Sequence, residues 1–338
     1  MKIVIRAVSF ALCVFTAVFV ALVAVPETKR EDNPFSSGQY KTVLTVWHID
    51  TFEGGTGSRA DFIASSLKAL GKDGIVTLVK TQTTESMEKA FEKGEIPDLI
   101  SFGVGCGEVV NFARELPFKS FEGGEAGGGY LAVPWCLGGY YLIAKSGDNR
   151  LIDRLFESDS DKNIENLIVS DGENILPVLA LKQLGITANA VYLSPKDAYS
   201  RFLSEKNAVL LGTQRDIKRI EKKKDEFSVR PLEGYSDFVQ YIAITTKSDE
   251  KYRYCALAVE HILSEEVQKK LYKIGMMRAN GKSGGEADFY GYDFSKNEYT
   301  LSPFLSKRLI VDAKSEINTA KISVKISENV KSGLKRLK

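Results

Sequence analysis

Histidine is scarce in this chain, with only two among 338 residues. Two isolated histidines, His48 and His261, give neither a nucleophile-and-base relay nor the ligand spacing of a metal site. The sequence also lacks the HExxH motif, the Walker phosphate loop and the GxSxG nucleophile elbow. The run Gly103, Gly105 and Gly107 does not have the GxGxxG spacing of a dinucleotide site. We therefore predict that the protein is not an enzyme and holds no metal or cofactor.

An excess of one charge and paired cysteines are also missing. The 46 basic and 44 acidic residues leave a net charge of +2, so no whole-molecule field predicts a nucleic-acid partner. Besides one cysteine near the N-terminus, the chain contains Cys106, Cys136 and Cys255, an odd number without paired spacing. We expect buried free thiols, and a bridge between Cys106 and Cys136 stays open if the compartment is oxidising.

One long hydrophobic run is present, at the N-terminus. Two basic residues precede the 19 uncharged residues Ala7–Val25, and Pro26 ends the run. Because about 20 apolar residues cross a bilayer, residues 1–26 are predicted to be a signal peptide or a membrane anchor, with an uncleaved anchor favoured. The basic end predicts that the rest of the chain lies outside the cytoplasm. A lipoprotein signal is not expected, because Cys13 follows leucine in the middle of the run.

A glycine-rich loop between a strand and a helix comes first in the folded part of the chain. It follows a polar linker, residues 27–40, and an apolar strand over 43–49. The turn Asp50–Gly57 leads into a helix, where Ser58 and Asp61 have capping-box spacing. Ligands of open α/β sheets bind beyond the carboxyl ends of the strands, and unpaired N–H groups at a helix start lie there. We therefore predict that this loop contributes to a ligand site.

Strands alternate with helices over most of the chain. Further strands are predicted at Ile75–Val79, Ile96–Phe102, Ala208–Leu211 and Phe238–Thr245. Helices are predicted at Thr84–Lys93, Thr213–Lys224 and Asp249–Leu263, and residues 149–207 are predicted to be mainly helical. The alternation favours an α/β fold with a parallel sheet covered on both faces. Tyr130–Ala144 and Phe238–Thr245 are predicted to be the places where the chain crosses between two domains.

Aromatic residues cluster at both predicted crossings. They are Trp135, Tyr140 and Tyr141 at the first crossing and Tyr235, Phe238 and Tyr241 at the second. Aromatic rings stack on the apolar faces of sugars while neighbouring polar side chains bond the hydroxyl groups. We expect about half of these rings to belong to the core instead. The cluster favours a sugar as the ligand.

The chain carries, in this order, the segments VLTVWHIDTFEGG, IPDLI, GYLAVPW with GGYYLIAK, AVLLGTQRD, and YIAITTKS with ALAVEHILSEEVQKKLYKIGMMRA. This order resembles the family 1 extracellular solute-binding proteins of ABC transporters and covers roughly Val43–Ala279. The last segment is the most specific, because the family commonly shows a pattern like SPEAQ…GxLPA there. The resemblance implies a type II periplasmic-binding-protein fold, in which two α/β lobes joined by a hinge of crossing strands close on a ligand.

The resemblance also implies a division of the chain and a set of ligand contacts. Residues 41–133 and 238–288 are expected to form lobe 1, residues 134–237 lobe 2, and residues 289–338 a segment that returns to lobe 2. The candidate ligand contacts are Asp50, Glu53, Gly54, Thr56, Ser58, Arg59, Ser101, Gly103, Trp135, Tyr140, Gln214, Arg215, Tyr235, Asp237 and Phe238. The expected partners are a small-molecule ligand and the permease subunits of an ABC transporter, with the protein itself a monomer.

The residues leave several alternatives open. Arg59 lies near a helix start, where Thr56 and Ser58 offer hydroxyl groups, so an anion or an amino-acid-like ligand is an alternative to a sugar. A ligand-sensing partner of a signalling receptor is a second alternative. An exported enzyme that uses Asp50 and Glu53 as paired acids is less favoured, because carboxylates in a loop more often form turns.

Overall fold

The computed structural model describes residues 40–51, 57–117, 125–126, 129–156, 163–183, 187–279, 291–296, 299–318 and 334–336. The chain divides into two compact units, Met1–Lys41 and Thr42–Lys338, and the fold below is that of the second unit. The predicted N-terminal segment and nearly all of the predicted linker lie outside the described residues, so both stay predictions. Within the described ranges, no helix is both long and apolar enough to cross a membrane.

A mixed six-stranded sheet contains the predicted first strand. Its strands, numbered in chain order and given from edge to edge, are β14 (Met277–Arg278), β6 (Val133–Leu137), β13 (Val239–Ile244), β3 (Leu99–Phe102), β1 (Thr42–Ile49) and β2 (Ile75–Gln82). Strand β1 is parallel to β2 and β3, whereas β13 is antiparallel to β3 and β6. The prediction of a parallel sheet is therefore wrong for this half. The reason is that β13 arrives from another sheet and not through a helical crossover.

A second, five-stranded sheet is also mixed. Its strands, from edge to edge, are β11 (Phe227–Leu232), β7 (Tyr140–Lys145), β10 (Val209–Thr213), β8 (Asn163–Ser170) and β9 (Thr187–Leu193). The prediction that residues 149–207 are mainly helical is therefore wrong for β8 and β9. Leu167–Ser170 are buried in succession. A short run buried on both faces does not alternate, so its periodicity does not distinguish a strand from a helix.

Helices cover both sheets. The α-helices in the described residues are α1 (Arg59–Leu67), α2 (Thr84–Glu92), α3 (Asn149–Asp153), α4 (Pro177–Gln183), α5 (Pro195–Ser204), α6 (Gln214–Ile220), α7 (Asp249–Leu263), α8 (Glu265–Gln268) and α9 (Lys307–Asn318). The predictions for α2 and α7 are confirmed to within one residue. Helix α6 is shorter than predicted, because a 3-10 turn, Glu221–Glu226, replaces its second half. Helix α1 also ends in a 3-10 turn, and Gly74, not Gly71, takes the left-handed conformation that ends it.

Two adjacent connections join the sheets. The chain leaves the six-stranded sheet after Leu137 and enters the five-stranded sheet at Tyr140, and it returns through residues 233–238. The backbone N–H of Gly138 donates to the carbonyl of Phe238 at 2.7 Å, which holds the two connections together. A Cβ at Gly138 would lie 2.6–2.8 Å from the side-chain amide of Gln214, so any other residue there would force that amide to move.

The C-terminal part of the chain contacts elements of both sheets. A small third sheet contains β12 (Tyr235–Ser236), β15 (Tyr299–Leu301) and β16 (Leu334–Arg336). Separately, in the middle of the chain, β4 (Glu125–Ala126) pairs with β5 (Gly129–Tyr130). On α9, Lys307 pairs with Glu85 of α2. Lys314 of the same helix pairs with Asp171, which follows β8, at 2.9 Å. Helix α9 therefore joins the loop after β8 to the first turn of α2.

Candidate functional site

The loop after β1 is fixed at both ends in the described residues. Asp50, directly after β1, accepts a hydrogen bond from Arg59 Nη2 at 2.5 Å, and the two side chains form an ion pair. Arg59 is buried, whereas the side chain of Asp50 is 57% exposed. Ser58 caps α1 by accepting a hydrogen bond from the backbone N–H of Asp61 at 3.1 Å, as its spacing predicts. The helix start and the strand end are thus held close to each other.

Ser101 is the centre of a buried polar network at the carboxyl ends of β1 and β3. Its Oγ accepts hydrogen bonds from Trp135 Nε1 at 3.0 Å and from Gln240 Nε2 at 3.2 Å, and it lies 3.1 Å from His48 Nδ1. A serine oxygen that accepts twice still has one proton to donate, so we assign that proton to His48 Nδ1. Burial, with a contribution from the Arg59 guanidinium, lowers the pKa of His48 to about 3. The imidazole is therefore neutral at neutral pH.

Gln240 extends this network to the loop after β1. It lies at an irregularity in the pairing of β13 with β6, a place where a strand can redirect a side chain. Its Nε2 also donates to the Ile49 carbonyl at 3.3 Å, and its Oε1 accepts a hydrogen bond from Thr51 Oγ1 at 3.4 Å. Gly103 completes the arrangement, because a Cβ there would collide with Thr51 Oγ1. Thr51, in the loop after β1, and Ser101, near the end of β3, are therefore both bonded to β13, the strand that follows a connection between the sheets.

Helix α6 follows β10 of the five-stranded sheet, and its first residues contact loops next to the six-stranded sheet. Arg215, which is 1% exposed, donates from Nη2 to the carbonyl of Gly57 in the loop after β1. The neighbouring Gln214 donates from Nε2 to Met276 Sδ at 3.3 Å and accepts from the backbone N–H of Gly139 at 3.1 Å. Loops at the carboxyl ends of β1 and β10, one from each sheet, therefore meet at the start of α6.

Two buried positive charges lie near this meeting point. The side chains of Arg59 and Arg215 belong to residues that are 3% and 1% exposed. Burial raises the pKa of the Cys136 thiol to about 12, and the positive charges of the two guanidinium groups oppose this rise. Charge interactions strengthen where water is excluded. Chemically, the arrangement can bind an acceptor or an anionic group of a small solute.

The predicted contacts at the connections form a second cluster. The ring of Tyr140 stacks on Tyr235 with centroids 6.5 Å apart and meets the ring of Phe238 nearly edge-on at 4.6 Å. The hydroxyl of Tyr140 donates to Asp237 Oδ1 at 2.5 Å, and Asp237 Oδ2 accepts from the backbone N–H of Leu176 at 2.5 Å. Burial raises the pKa of Asp237 to about 6, and these two hydrogen bonds oppose the rise. All four predicted contacts are buried against protein groups in this conformation.

The predicted ligand contacts thus fall into two groups. Those at the meeting of the loops are Asp50, Ser58, Arg59, Ser101, Gly103, Trp135, Gln214 and Arg215. Those at the connections are Tyr140, Tyr235, Asp237 and Phe238. Glu53, Gly54 and Thr56 lie outside the described residues, so their role stays a prediction. Tyr141, the neighbour of Tyr140 in β7, belongs to the hydrophobic cluster on the other face of the sheet, and both rings are buried because both faces are covered.

Sequence reasoning did not place His48, Thr51 or Gln240 among the site residues. His48 and Thr51 flank the predicted contact Asp50, so their position at a strand end was a usable signal. Gln240 had no such signal, because it lies inside an apolar strand pattern. In the structure its amide is bonded to Ser101, next to an irregularity in the pairing of β13 with β6.

The cysteines are free and buried, as their pattern predicts. Cys106 and Cys136 do not form the bridge that the sequence left open, and Cys255 is also free. Burial raises the pKa of each thiol to about 12, so all three are protonated and unreactive near neutral pH. In the part of the chain that the structure describes, no group of three or more potential metal ligands comes together.

Comparison with known proteins identifies the fold. No family model matches the chain, and no curated protein matches its sequence. The structure is similar to a Bordetella parapertussis protein assigned as an extracellular solute-binding protein, with a TM-score of 0.62 and 12% identity over 83% of this chain and 99% of that one. It is also similar to the sugar-binding protein MalE from Xanthomonas citri, with a TM-score of 0.59 and 11% identity over 86% and 96% of the two chains. The fold is that of the type II periplasmic-binding proteins.

A third similar structure widens the range of solutes among these proteins. Iron-bound HitA from Pseudomonas aeruginosa gives a TM-score of 0.54 at 16% identity, over 82% of this chain and 99% of that one. At such identities the similarity establishes the fold, and function has to be argued from the site. The expectation of an α/β fold built like those of ABC-transporter solute-binding proteins is confirmed.

The neutral state of His48 predicts a pH dependence of stability. Its pKa is lowered from 6.5 to about 3 in the folded chain. Between these values the unfolded chain binds a proton that the folded chain does not, so stability is lost as the pH falls through this window. From pH 7.5 to pH 5.0 this side chain should account for a loss of about 2 kcal/mol. Urea unfolding at both pH values, compared with the His48→Asn variant, measures the difference.

The His48→Asn variant is needed as a control because Asp237 changes the stability with pH in the opposite direction. Its raised pKa means that the folded chain holds a proton more tightly, so its stabilising contribution fades as the pH rises through about 6. The difference between wild type and His48→Asn removes this common effect. An equal loss of stability in both proteins on acidification would contradict the assignment of a neutral, buried His48.

Proposed function

We propose that this protein is an extracytoplasmic solute-binding protein that takes up a small solute between two lobes and delivers it to an ABC permease. The single observation that carries the proposal is the contact between Arg215, on the five-stranded sheet side, and the carbonyl of Gly57, in the loop after β1. A solute that contacts loops from both sheets would stabilise the closed arrangement, and a permease can recognise that state. The protein would act by binding and not by catalysis.

The proposal includes the division into lobes that the sequence predicted. Residues 41–133 with 238–288 would form one lobe and residues 134–237 the other, with the paired connections as the hinge. Strands β7 to β11 lie in one sheet and β1 to β3 with β13 in the other, which supports this division. Strand β6, which ends at Leu137, pairs with β13, so we place the boundary of the second lobe after it. The membrane anchor and the monomeric state belong to the same proposal.

Two solute classes are proposed, each on its own observation. A sugar is supported by the hydrogen-bonding groups at the ends of β1 and β3, and MalE, which has a similar fold, is a sugar-binding protein. An anionic or carboxylate-bearing solute is supported by the buried guanidinium groups of Arg59 and Arg215. Of the two, the sugar is favoured.

A thermal-shift screen tests the proposal. The full-length protein, in mild detergent, is heated alone and with maltose, glucose, trehalose, phosphate, sulfate, citrate or spermidine. A compound that binds only the folded state stabilises that state by a free energy that grows with the logarithm of the compound's concentration. The melting temperature therefore rises. Small-angle scattering with and without a compound that raises the melting temperature then measures closure as a fall in the radius of gyration. A compound that raises the melting temperature without any compaction would contradict closure.

The screen is paired with a test of transport against sensing. Co-purification of the tagged protein with permease subunits supports delivery, whereas capture of a histidine kinase supports the sensing alternative. Turnover of any compound in the panel, abolished in Glu53→Gln, would instead favour the exported enzyme. We expect no turnover, because the described acids near the loop, such as Asp50, are engaged in an ion pair.

A further inference from the structure

Two buried oxygen atoms at the carboxyl end of β8 have no hydrogen-bond partner among the residues that the structure describes. They are Oγ of Ser170, the last residue of β8, and Oδ1 of Asn174, in the loop that leads to α4. Ser170 is 1% exposed and Asn174 is 2% exposed. Buried polar atoms are nearly always paired, because leaving one unpaired forfeits its bond to water. No residue in the described part of the chain supplies the partner of either atom.

The loop that carries Asn174 is held firmly on both sides. Asp237 Oδ2 accepts a hydrogen bond from the backbone N–H of Leu176 at 2.5 Å. On the other side, Lys314 Nζ donates to Asp171 Oδ1 at 2.9 Å. With both flanks fixed, the side chain of Asn174 is kept at its position by the fold. Its unpaired oxygen is a feature of that position and does not come from a loose loop.

Asn174 also lies where loops from the two sheets meet. Its side-chain amide lies against Gly105, in the turn after β3, where a Cβ would be 3.2–3.4 Å from three atoms of that amide. Gly105 has a φ of +102°, which residues with a side chain rarely adopt. The predicted ligand contacts Ser101 and Gly103 lead into this turn, and Asn174 contacts the turn from the loop after a strand of the other sheet.

We propose that Asn174 is a ligand-binding residue whose Oδ1 accepts a hydrogen bond from a hydroxyl group of a polyol or sugar, with Ser170 as a second polar contact at the same strand end. The inference rests on the proposed function, because it names a contact and a solute class for the same site. A carbonyl oxygen can only accept, so it requires a donor on the solute. Sulfate, which is fully deprotonated near neutral pH, does not satisfy it.

The test compares Asn174→Leu with a matched change in β8, the strand that precedes the loop of Asn174. Asn166 in β8 has its amide paired with Glu205 Oε2 at 3.0 Å, so Asn166→Leu makes the same chemical change without touching an unpaired atom. The full-length proteins are titrated with maltose, glucose, trehalose, myo-inositol and sulfate while the melting temperature is followed. We expect Asn174→Leu to bind the responding polyol at least tenfold more weakly, whereas Asn166→Leu binds it as wild type does.

Stability without any added compound provides a second readout. Replacing an unpaired buried oxygen by an apolar group of similar shape is neutral or stabilising, so Asn174→Leu should melt at or above the temperature of wild type. A lower melting temperature would overturn the proposal, because it would indicate that Asn174 has a structural role within the protein. Asn174→Asp keeps an accepting oxygen and is expected to retain most of the affinity, which tests whether that oxygen is the feature that the polyol needs.

The outcomes separate this inference from the proposed function. Equal polyol affinity in wild type and Asn174→Leu would overturn the role of Asn174 while the solute-binding function stands. A wild-type response to sulfate alone would also overturn the inference and would favour the anionic solute. No response to any compound in either panel would count against solute binding itself, and the assignment of Asn174 would be abandoned with it.

Discussion

Replacing Trp135 by alanine is expected to lower the free energy of unfolding by about 3–5 kcal/mol, the usual range for removing a large buried aromatic side chain. Trp135 has no exposed surface, and its ring stacks on Phe62 with centroids 6.0 Å apart and an interplanar angle of 14°. Its indole N–H also donates to Ser101 Oγ at 3.0 Å. The substitution would therefore leave a cavity and remove one donor from the buried network.

Denaturant unfolding followed by far-UV circular dichroism measures this loss. Indole fluorescence is unsuitable, since the chain has only two tryptophans and the variant removes one. The control is Leu257→Ala on α7, where the side chain is 49% exposed and the change should stay within about 0.5 kcal/mol. Trp135→Phe keeps an aromatic ring but removes the N–H and part of the indole's volume, so its loss of stability should be smaller than that of Trp135→Ala. A Trp135→Ala variant as stable as the Leu257→Ala control would refute the buried position of this ring.

The expected loss of stability means that Trp135→Ala cannot test the predicted ligand contact of Trp135 by itself. A loss of ligand response in Trp135→Ala would not by itself support a sugar-stacking ring, because a destabilised protein binds any ligand less well. Trp135→Phe at a temperature where both proteins are folded is the informative comparison. A fall in affinity there, with stability nearly kept, would favour a direct role of the indole.

Replacing Arg215 by methionine is expected to weaken binding of the solute found in the thermal-shift screen by about 10- to 100-fold. A hydrogen bond from a charged group contributes about 1.5–3 kcal/mol, and each 1.4 kcal/mol is a factor of ten in affinity. The Arg215 guanidinium reaches Gly57, 158 residues earlier in the chain, and joins elements of the two sheets. In an open form both groups would be hydrated, so the substitution disfavours the closed form specifically.

Two measurements on Arg215→Met separate closure from folding. Small-angle scattering of the unliganded protein should show a larger radius of gyration than wild type, and titration with the same solute should show the loss of affinity. Arg201→Met is the control, because Arg201 on α5 pairs with Glu205, four residues later in the chain, at 2.6 Å. If Arg215→Met bound and scattered like this control, the contact with Gly57 would have no part in closure.

Local elements were predictable because neighbouring residues alone determine them. Ser58 caps α1 through a backbone N–H three residues away, and α7 begins after Ser248, whose side chain bonds the backbone N–H of Lys251 at 3.2 Å. Such contacts need no knowledge of the rest of the chain. The order of segments was sufficient to identify the type of fold, although no family model matches the sequence.

Strands β8 and β9 were predicted to be helical because the hydrophobic pattern of a buried strand resembles that of a helix. Strand β8 is buried on both faces, so its apolar run lacks the alternation that marks a half-buried strand. With residues 149–207 read as mainly helical, the sequence DGEN at 171–174 did not appear as a turn at the carboxyl end of a strand. That turn carries Asn174. Because residues 149–207 were predicted to be helical, Asn174 was not predicted to be a ligand contact.

The sequence by itself determined the α/β class and the capped helices, since these follow from periodicity and capping. Only the tertiary structure decided which side chains meet. Ser101 with Trp135, Arg215 with Gly57, and Asn174 with Gly105 are pairs from distant parts of the chain. Their proximity depends on sheet order and on how the two sheets are connected, and no local pattern encodes either.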